Sequence, residues 1–239
     1  LEEVKKDTIN VSMPSFVDIN QDRVADLVVT KIEGTVGLTE SVKTRIYLNI
    51  GTGRGNFIAD KFIKIDGVSV DPGFIDMNQD GALDVATSRL RTDLLGQGAN
   101  LLLFGDVTVS YEVFQFDAKS GTFLPEPVWS KDVRVTREDL EKKGAASTAL
   151  VMIRGDFSGD GRPDMMFIDP RREMLELRKG RVHFSGSTPV IGFEEHAFWE
   201  TRLERHPKWA SIVDTNADGI CDIYLMYGGV VGIVESRKK

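Results

Sequence analysis

The sequence predicts an all-β chain of repeated four-stranded antiparallel units, and three observations carry that prediction. The first is a nine-residue stretch, Asp76-Met77-Asn78-Gln79-Asp80-Gly81-Ala82-Leu83-Asp84, with oxygen-bearing side chains at positions 1, 3, 5 and 9 around a glycine at position 6. It occurs four times. The other copies offer Asp18, Asn20, Asp22 and Asp26; Asp156, Ser158, Asp160 and Asp164; and Asp214, Asn216, Asp218 and Asp222. The second observation is the flanks: Phe16-Val17, Phe74-Ile75 and Ile212-Val213 precede loops, while Leu27 to Val29, Met165 to Ile168 and Ile223 to Met226 follow them. Short β-branched and aromatic runs are strand signals, so each motif joins two strands. The third is the spacing, because motif starts at 18, 76, 156 and 214 recur with a period of about 60 residues and indicate a repeat architecture.

Three carboxylates and one amide or hydroxyl within nine residues repel one another unless a hard cation neutralises them. Oxygen-only ligands select calcium over zinc or copper. The expectation is therefore about four Ca2+ ions. The backbone carbonyl at position 7, from Val24, Ala82, Arg162 or Ile220, is a further expected ligand by analogy with other calcium loops. Position 6 has to turn the backbone through positive φ; Gly81, Gly161 and Gly219 suit this and Arg23 departs from it. An EF-hand is excluded because it needs a bidentate Glu at position 12 and helices on both sides. Position 12 is Val29, Thr87, Phe167 and Leu225.

In chain order, the expected repeats cover approximately 14–65, 72–129, 148–199 and 210–234 of one domain, 1–239. In the first, strand 16–19, the loop and strand 26–32 lead to Arg45 to Asn49, then a turn at Gly51 to Gly55, then a strand around 57–65. The second follows the same order, with an extra apolar run at Leu101 to Phe104, Val109 to Phe116, and a turn at Lys119 to Gly121 ahead of Phe123. A Thr cap and a terminal glycine predict a helical insertion at 136–144. The third is read as strands 150–155 and 164–168, then Leu175 to Leu177, Val182 to Phe184 and Phe193. The fourth ends after Val230 to Val234, and a strand over 5–11 is a candidate for its missing fourth member.

Composition bounds the rest. A 41% hydrophobic content supports a proper core, and the charge of -7 belongs mainly to the loops, which hold twelve of the 37 acidic residues. No basic stripe suggests nucleic acid, and no apolar run approaches the roughly 18–20 residues needed to cross a membrane. Cys221 has no partner for a disulfide and is expected to act as a small buried hydrophobe. The chain begins at Leu1 without Met or signal peptide, which suggests a processed or excised product. Low-charge calcium loops work where calcium is near millimolar, so an extracellular, cell-surface or periplasmic location is expected.

Repeats of four antiparallel strands are similar to β-propeller blades. With the D-x-[ND]-x-D-G-x-x-D loops and the later segment Asn49 to Phe57, the chain resembles the FG-GAP/VCBS repeat family, whose blades also build integrin α-subunit propellers. The resemblance runs over nearly the whole chain, though repeats two to four keep only traces of the second segment. It implies four blades of a larger ring, or a small ring closed by the N-terminal strand. In up-and-down blades, the loops between strands 1 and 2 and between 3 and 4 share one face. The irregular segments Lys31 to Lys43, Ser88 to Ala99, Lys131 to Ser147 and Glu200 to Lys208 map to the other, which in integrin-like relatives is the recognition face.

The leading expectation is a secreted, calcium-stabilised, non-enzymatic module for recognition, cell adhesion or surface assembly, with a protein or glycan ligand on the face opposite the calcium loops. No catalytic set accompanies the loops. A second reading is a carbohydrate-active enzyme of the polysaccharide-lyase type, with titratable candidates Asp93, Arg89, Arg91 and His206; a third is a structural blade set within a larger secreted or toxin-like chain or assembly. Arg154-Gly155-Asp156 spells an attachment tripeptide, yet Asp156 is the first ligand of its loop. Gly51 to Gly55 lacks the following helix that an anion site needs. His183, His196 and His206 have no metal spacing, and Trp199 and Trp209 suit inter-blade packing better than sugar stacking.

Overall fold

The computed structural model describes residues 8–35, 42–54, 57–69, 72–90, 106–136, 151–169, 172–185 and 188–237. Among them every regular element is a β-strand, and all strand pairing is antiparallel. Among the described residues, no helix is long and apolar enough to cross a membrane. The chain divides into two compact units, one built from residues 1–76 and 80–136, the other from 77–79 and 137–239.

In the first unit, β1 (Thr8–Val17), β2 (Asp26–Thr35), β3 (Val42–Gly51) and β4 (Phe57–Asp66) form a sheet in sequence order. The period-2 alternation of β2 and β3 is what a one-sided strand requires. Val28, Thr30 and Ile32 of β2 and Thr44, Ile46 and Leu48 of β3 are buried, and the residues between them are half-buried. The second sheet runs β5 (Gly73–Ile75), β6 (Asp84–Leu90), β7 (Asp106–Phe114), with a small hairpin, β8 (Phe116–Asp117) and β9 (Thr122–Phe123), before its fourth strand, β10 (Trp129–Thr136). A shared core of Ile19, Val28, Ile46, Leu48 and Ile63 with Val85, Phe114, Phe116 and Phe123 joins the two sheets.

The second unit repeats the plan. β11 (Val151–Gly155), β12 (Asp164–Asp169) and β13 (Met174–Arg178) are followed by a hairpin, β14 (Gly180–Ser185) and β15 (Thr188–Phe193), and then by the fourth strand, β16 (Trp199–Arg202). β17 (Trp209–Val213), β18 (Asp222–Met226) and β19 (Val231–Val234) make a three-stranded sheet. Phe157, Met166, Leu175 and Leu177 pack with Ala210, Ile223 and Leu225 as its core.

Three expectations change. The fourth strands of the second and third sheets lie further along, at 129–136 and 199–202, because residues 116–123 and 180–193 pair with each other as hairpins. Residues 131–136 are therefore strand, not loop. The stretch expected as a separate strand over 5–11 is, from Thr8 onward, the first part of β1: Thr8 to Val11 face Thr35 to Ile32 in register. There β1 is the edge strand, bonded on one side to β2. The helix expected at 136–144 falls, after Thr136, outside the described residues, as do Leu101 to Phe104.

Candidate metal centres

Each acidic loop joins the first and second strands of its sheet, and all four are framed alike. The residue before position 1 pairs with the residue at position 9: Val17 with Asp26, Ile75 with Asp84, Gly155 with Asp164 and Val213 with Asp222. Position 2 supplies an apolar plug in the first three loops, where Ile19, Met77 and Phe157 are buried.

Inside this frame the position-1 carboxylate gathers backbone N–H groups. Asp18 accepts from Asp22 and Arg23 at 3.1 and 2.8 Å, Asp76 from Asp80 and Gly81 at 3.2 and 3.0 Å, and Asp214 from Asp218 and Gly219 at 3.3 and 2.9 Å. Asp156 takes three, from Gly159, Asp160 and Gly161 at 2.6, 3.2 and 2.6 Å. Position 5 in turn accepts from position 7: Asp22 from Val24, Asp80 from Ala82, Asp160 from Arg162 and Asp218 from Ile220. Asn20 and Asn216 accept from the position-5 N–H, and the Ser158 hydroxyl lies 3.5 Å from Asp156.

The backbone twist behind these bonds is left-handed at two positions. Position 6 has φ of 70° at Arg23, 88° at Gly81, 82° at Gly161 and 84° at Gly219. Position 4 is also left-handed, with φ of 54° at Gln21, 60° at Gln79, 73° at Gly159 and 58° at Ala217. Sequence reasoning found the first requirement through glycine and missed the second, since Gln and Ala give no such signal.

Position 9 behaves differently from positions 1, 3 and 5. Asp26, Asp84, Asp164 and Asp222 are all fully buried. Each accepts an N–H from a residue that closes its sheet's third strand or lies two positions beyond it: Gly51 at 2.8 Å, Phe116 at 2.8 Å, Gly180 at 2.9 Å and Ser236 at 2.8 Å. The same carboxylate also holds position 2, as at Ile19, Phe157 and Thr215, whose N–H groups donate to it at 2.9 Å each. Asp164 takes a further bond from Ser158 N–H, and Asp222 one from the Thr215 hydroxyl. Burial pushes the Asp164 carboxyl up, and its backbone bonds only partly offset that. Burial also raises Asp222, but the Thr215 and Ser236 bonds together outweigh it and hold the carboxyl below its ordinary value.

The chosen geometry at Gly51 and Gly180 follows from this clasp. A Cβ at Gly51 would stand 2.3 Å from the Ala25 carbonyl oxygen, and one at Gly180 2.1 Å from that of Pro163. Neighbouring loops within a unit are also tied: Leu83 N–H donates to Ile19 O at 2.7 Å, and Cys221 N–H to Asp156 O at 2.8 Å. Cys221 is half-buried against the second unit's core, and burial pushes its thiol up, as suits an inert side chain.

The donor chemistry at positions 1, 3 and 5 fits a hard cation: two carboxylates and an amide or hydroxyl oxygen, with no nitrogen or sulfur ligand. The position-9 carboxylate is committed to backbone N–H groups. Among the described residues, no three Asp, Glu, His or Cys side chains converge closely enough to hold a metal ion by themselves. Neutral oxygens from position 3 and from the position-7 carbonyl are what these loops have available to complete a coordination shell.

Other predicted features separate. Arg154 is exposed in β11 and Asp156 is committed to its own loop, so the attachment tripeptide is part of the scaffold. Trp199 and Trp209 open β16 and β17 and are exposed. Arg91 and Asp93 lie outside the described residues. Arg89, in the first unit, pairs at 2.7 Å with Glu112, a buried residue that sequence reasoning did not single out; His206 belongs to the second unit.

The family model of an FG-GAP-like repeat matches residues 18–87, from the first position of the first loop into β6. No curated protein and no solved structure matches the chain.

Proposed function

Starting from an FG-GAP-like repeat at residues 18–87, we propose that this chain is a calcium-stabilised, β-propeller-type module that works outside the cytoplasm and recognises a protein or glycan ligand. The observation that carries the reading is the recurrence of one loop, in one frame, between the first two strands of all four sheets. A turn serving only to reverse the chain has no need of carboxylates at positions 1 and 5 in every copy; a cation does. Ligands are expected at Asp18, Asn20, Asp22 and Val24, and at their counterparts in the other loops. The position-9 aspartates Asp26, Asp84, Asp164 and Asp222 hold the frame and are available to a cation only through lone pairs not taken by N–H donors.

Recognition is assigned to the strand ends remote from the loops. In the second sheet, Leu90 pairs with Val109 and Thr136 with Asp106, whereas Asp84 pairs with Ile75 beside the loop. β6 therefore ends at Leu90, and β10 at Thr136, on the edge of the sheet far from the loop. Ligand-binding segments are commonly carried at such ends of a rigid scaffold.

Thermal unfolding with and without a chelator tests the calcium reading. Binding at free calcium about 100 times Kd adds on the order of 2.7 kcal/mol per site, so the midpoint is expected to fall clearly on chelation. An unchanged midpoint overturns it.

A further inference from the structure

The first unit contains a cleft of about 530 Å3 between β4 and the second sheet, lined by residues of β4, β6 and β7 and of the segment 125–130. Such a volume suits a small ligand. Two ion pairs line it. Arg89 Nη2 lies 2.7 Å from Glu112 Oε1, and Lys64 Nζ lies 3.4 Å from Asp66 Oδ1. Glu112 is only 6% exposed, and Arg89 Nε is buried without a hydrogen-bond partner. A buried N–H in that state costs stability, so packing alone gives no reason to keep the pair there. The same cleft is lined by Phe62, 47% exposed with Arg45 and Tyr47 against part of its ring, and by Pro125 and Pro127.

We propose that this cleft binds an uncharged saccharide. Each ion pair is neutral as a unit yet sets strong donors beside strong acceptors. Vicinal hydroxyls, which both donate and accept, match that arrangement without separating the charges. A free anion would meet Glu112, Asp66 and Glu126, and a free amine would have to displace Arg89 from a buried carboxylate. The Phe62 and proline rings offer flat apolar surface to the C–H faces of a sugar ring. The assignment rests on the recognition reading above and names its ligand class and site.

The test is calorimetric titration of the calcium-loaded protein with maltose, lactose and chitobiose, alongside the Phe62→Ala and Arg89→Lys variants. Phe62 is half exposed, so Phe62→Ala keeps the fold even if Arg89→Lys does not. Saturable binding of at least one sugar is expected, weakened about tenfold or more by either change, as loss of a charged hydrogen bond or a stacking surface predicts. Trp209→Ala, in the other unit, should leave binding unchanged. Absence of saturable binding by all three sugars, or binding that survives Phe62→Ala at full strength, overturns the proposal. Saturable binding of an extended lysine-containing heptapeptide in place of the sugars also overturns it, in favour of strand addition at β4. Melting with and without chelator on the same samples separates the two readings. A calcium-shifted midpoint with no sugar bound rejects the cleft alone, and an unshifted one rejects the calcium-stabilised scaffold.

Discussion

Arg23 occupies a backbone conformation, φ 70°, that the other three loops give to glycine. A Cβ in that region costs roughly 1–2 kcal/mol, against about 0.5–1 kcal/mol of extra chain entropy lost by glycine. Arg23→Gly is thus expected to raise stability by about 0.5–1 kcal/mol in urea unfolding, and to tighten calcium binding by removing a positive charge. The reverse change, Gly81→Arg, should cost about 0.5–1 kcal/mol for conformation alone, since a Cβ there meets nothing within 4 Å. Among the aspartates, burial separates two roles. Asp164→Ala strips partners from the Phe157, Ser158 and Gly180 N–H groups; at about 1–3 kcal/mol for each buried donor left unpaired, a loss of at least ~3 kcal/mol is expected. Asp22→Ala, at an exposed position, should cost under about 1 kcal/mol in chelator but weaken calcium binding. Equal losses in chelator would refute the clasp. The sequence displayed the aspartates through their spacing, but not this division, because a ligand and a buried backbone acceptor are the same residue type in the same motif.

At the scale of strands and hairpins, the loops' flanks were legible because β-branched and aromatic runs bracket every motif. The fourth strands were less so. Val182-His183-Phe184 and Phe193 read as strand and are strand, but they pair with each other across β14 and β15, leaving the sheet edge to Trp199–Arg202. Pairing partners are set by tertiary register, which local propensity does not encode. The turn after the third strand was read as a hairpin, and its reason is now physical: Gly51 and Gly180 lie against carbonyls of their own loops. Gly180→Ala should cost about 1–3 kcal/mol, as overpacking does, whereas Gly192→Ala, with open space at its Cβ, should cost far less. Glu112 in β7 adds a pH dependence. Burial raises its carboxyl and Arg89 lowers it by less, so the folded state holds the proton more tightly than the unfolded chain. The stability of the wild type relative to Glu112→Gln should therefore be greatest at acid pH. It should decline as pH rises from the ordinary glutamate value through the raised one, then level off. A difference that grows with pH contradicts the burial.

Over the whole molecule, three aspartates in each of four loops dominate a net charge of -7. In each unit two loops are tied by a backbone bond, so their carboxylates repel across as well as within loops. Chelation should lower the melting midpoint most at low salt, where that repulsion is least screened, and added salt should recover part of it. The position-9 bonds have a further consequence, in the order of events as the chain folds. They reach 25, 32, 16 and 14 residues downstream, to the end of the third strand or just beyond. The anchor that fixes a loop to its sheet is therefore made only when a strand later in the sequence has docked, and the complete frame around a cation is assembled last. On the calcium reading proposed above, the ion is expected to act as a latch and not a nucleus. In stopped-flow experiments it should slow unfolding and leave the refolding rate almost unchanged, because interactions formed after the transition state act on the unfolding arm alone.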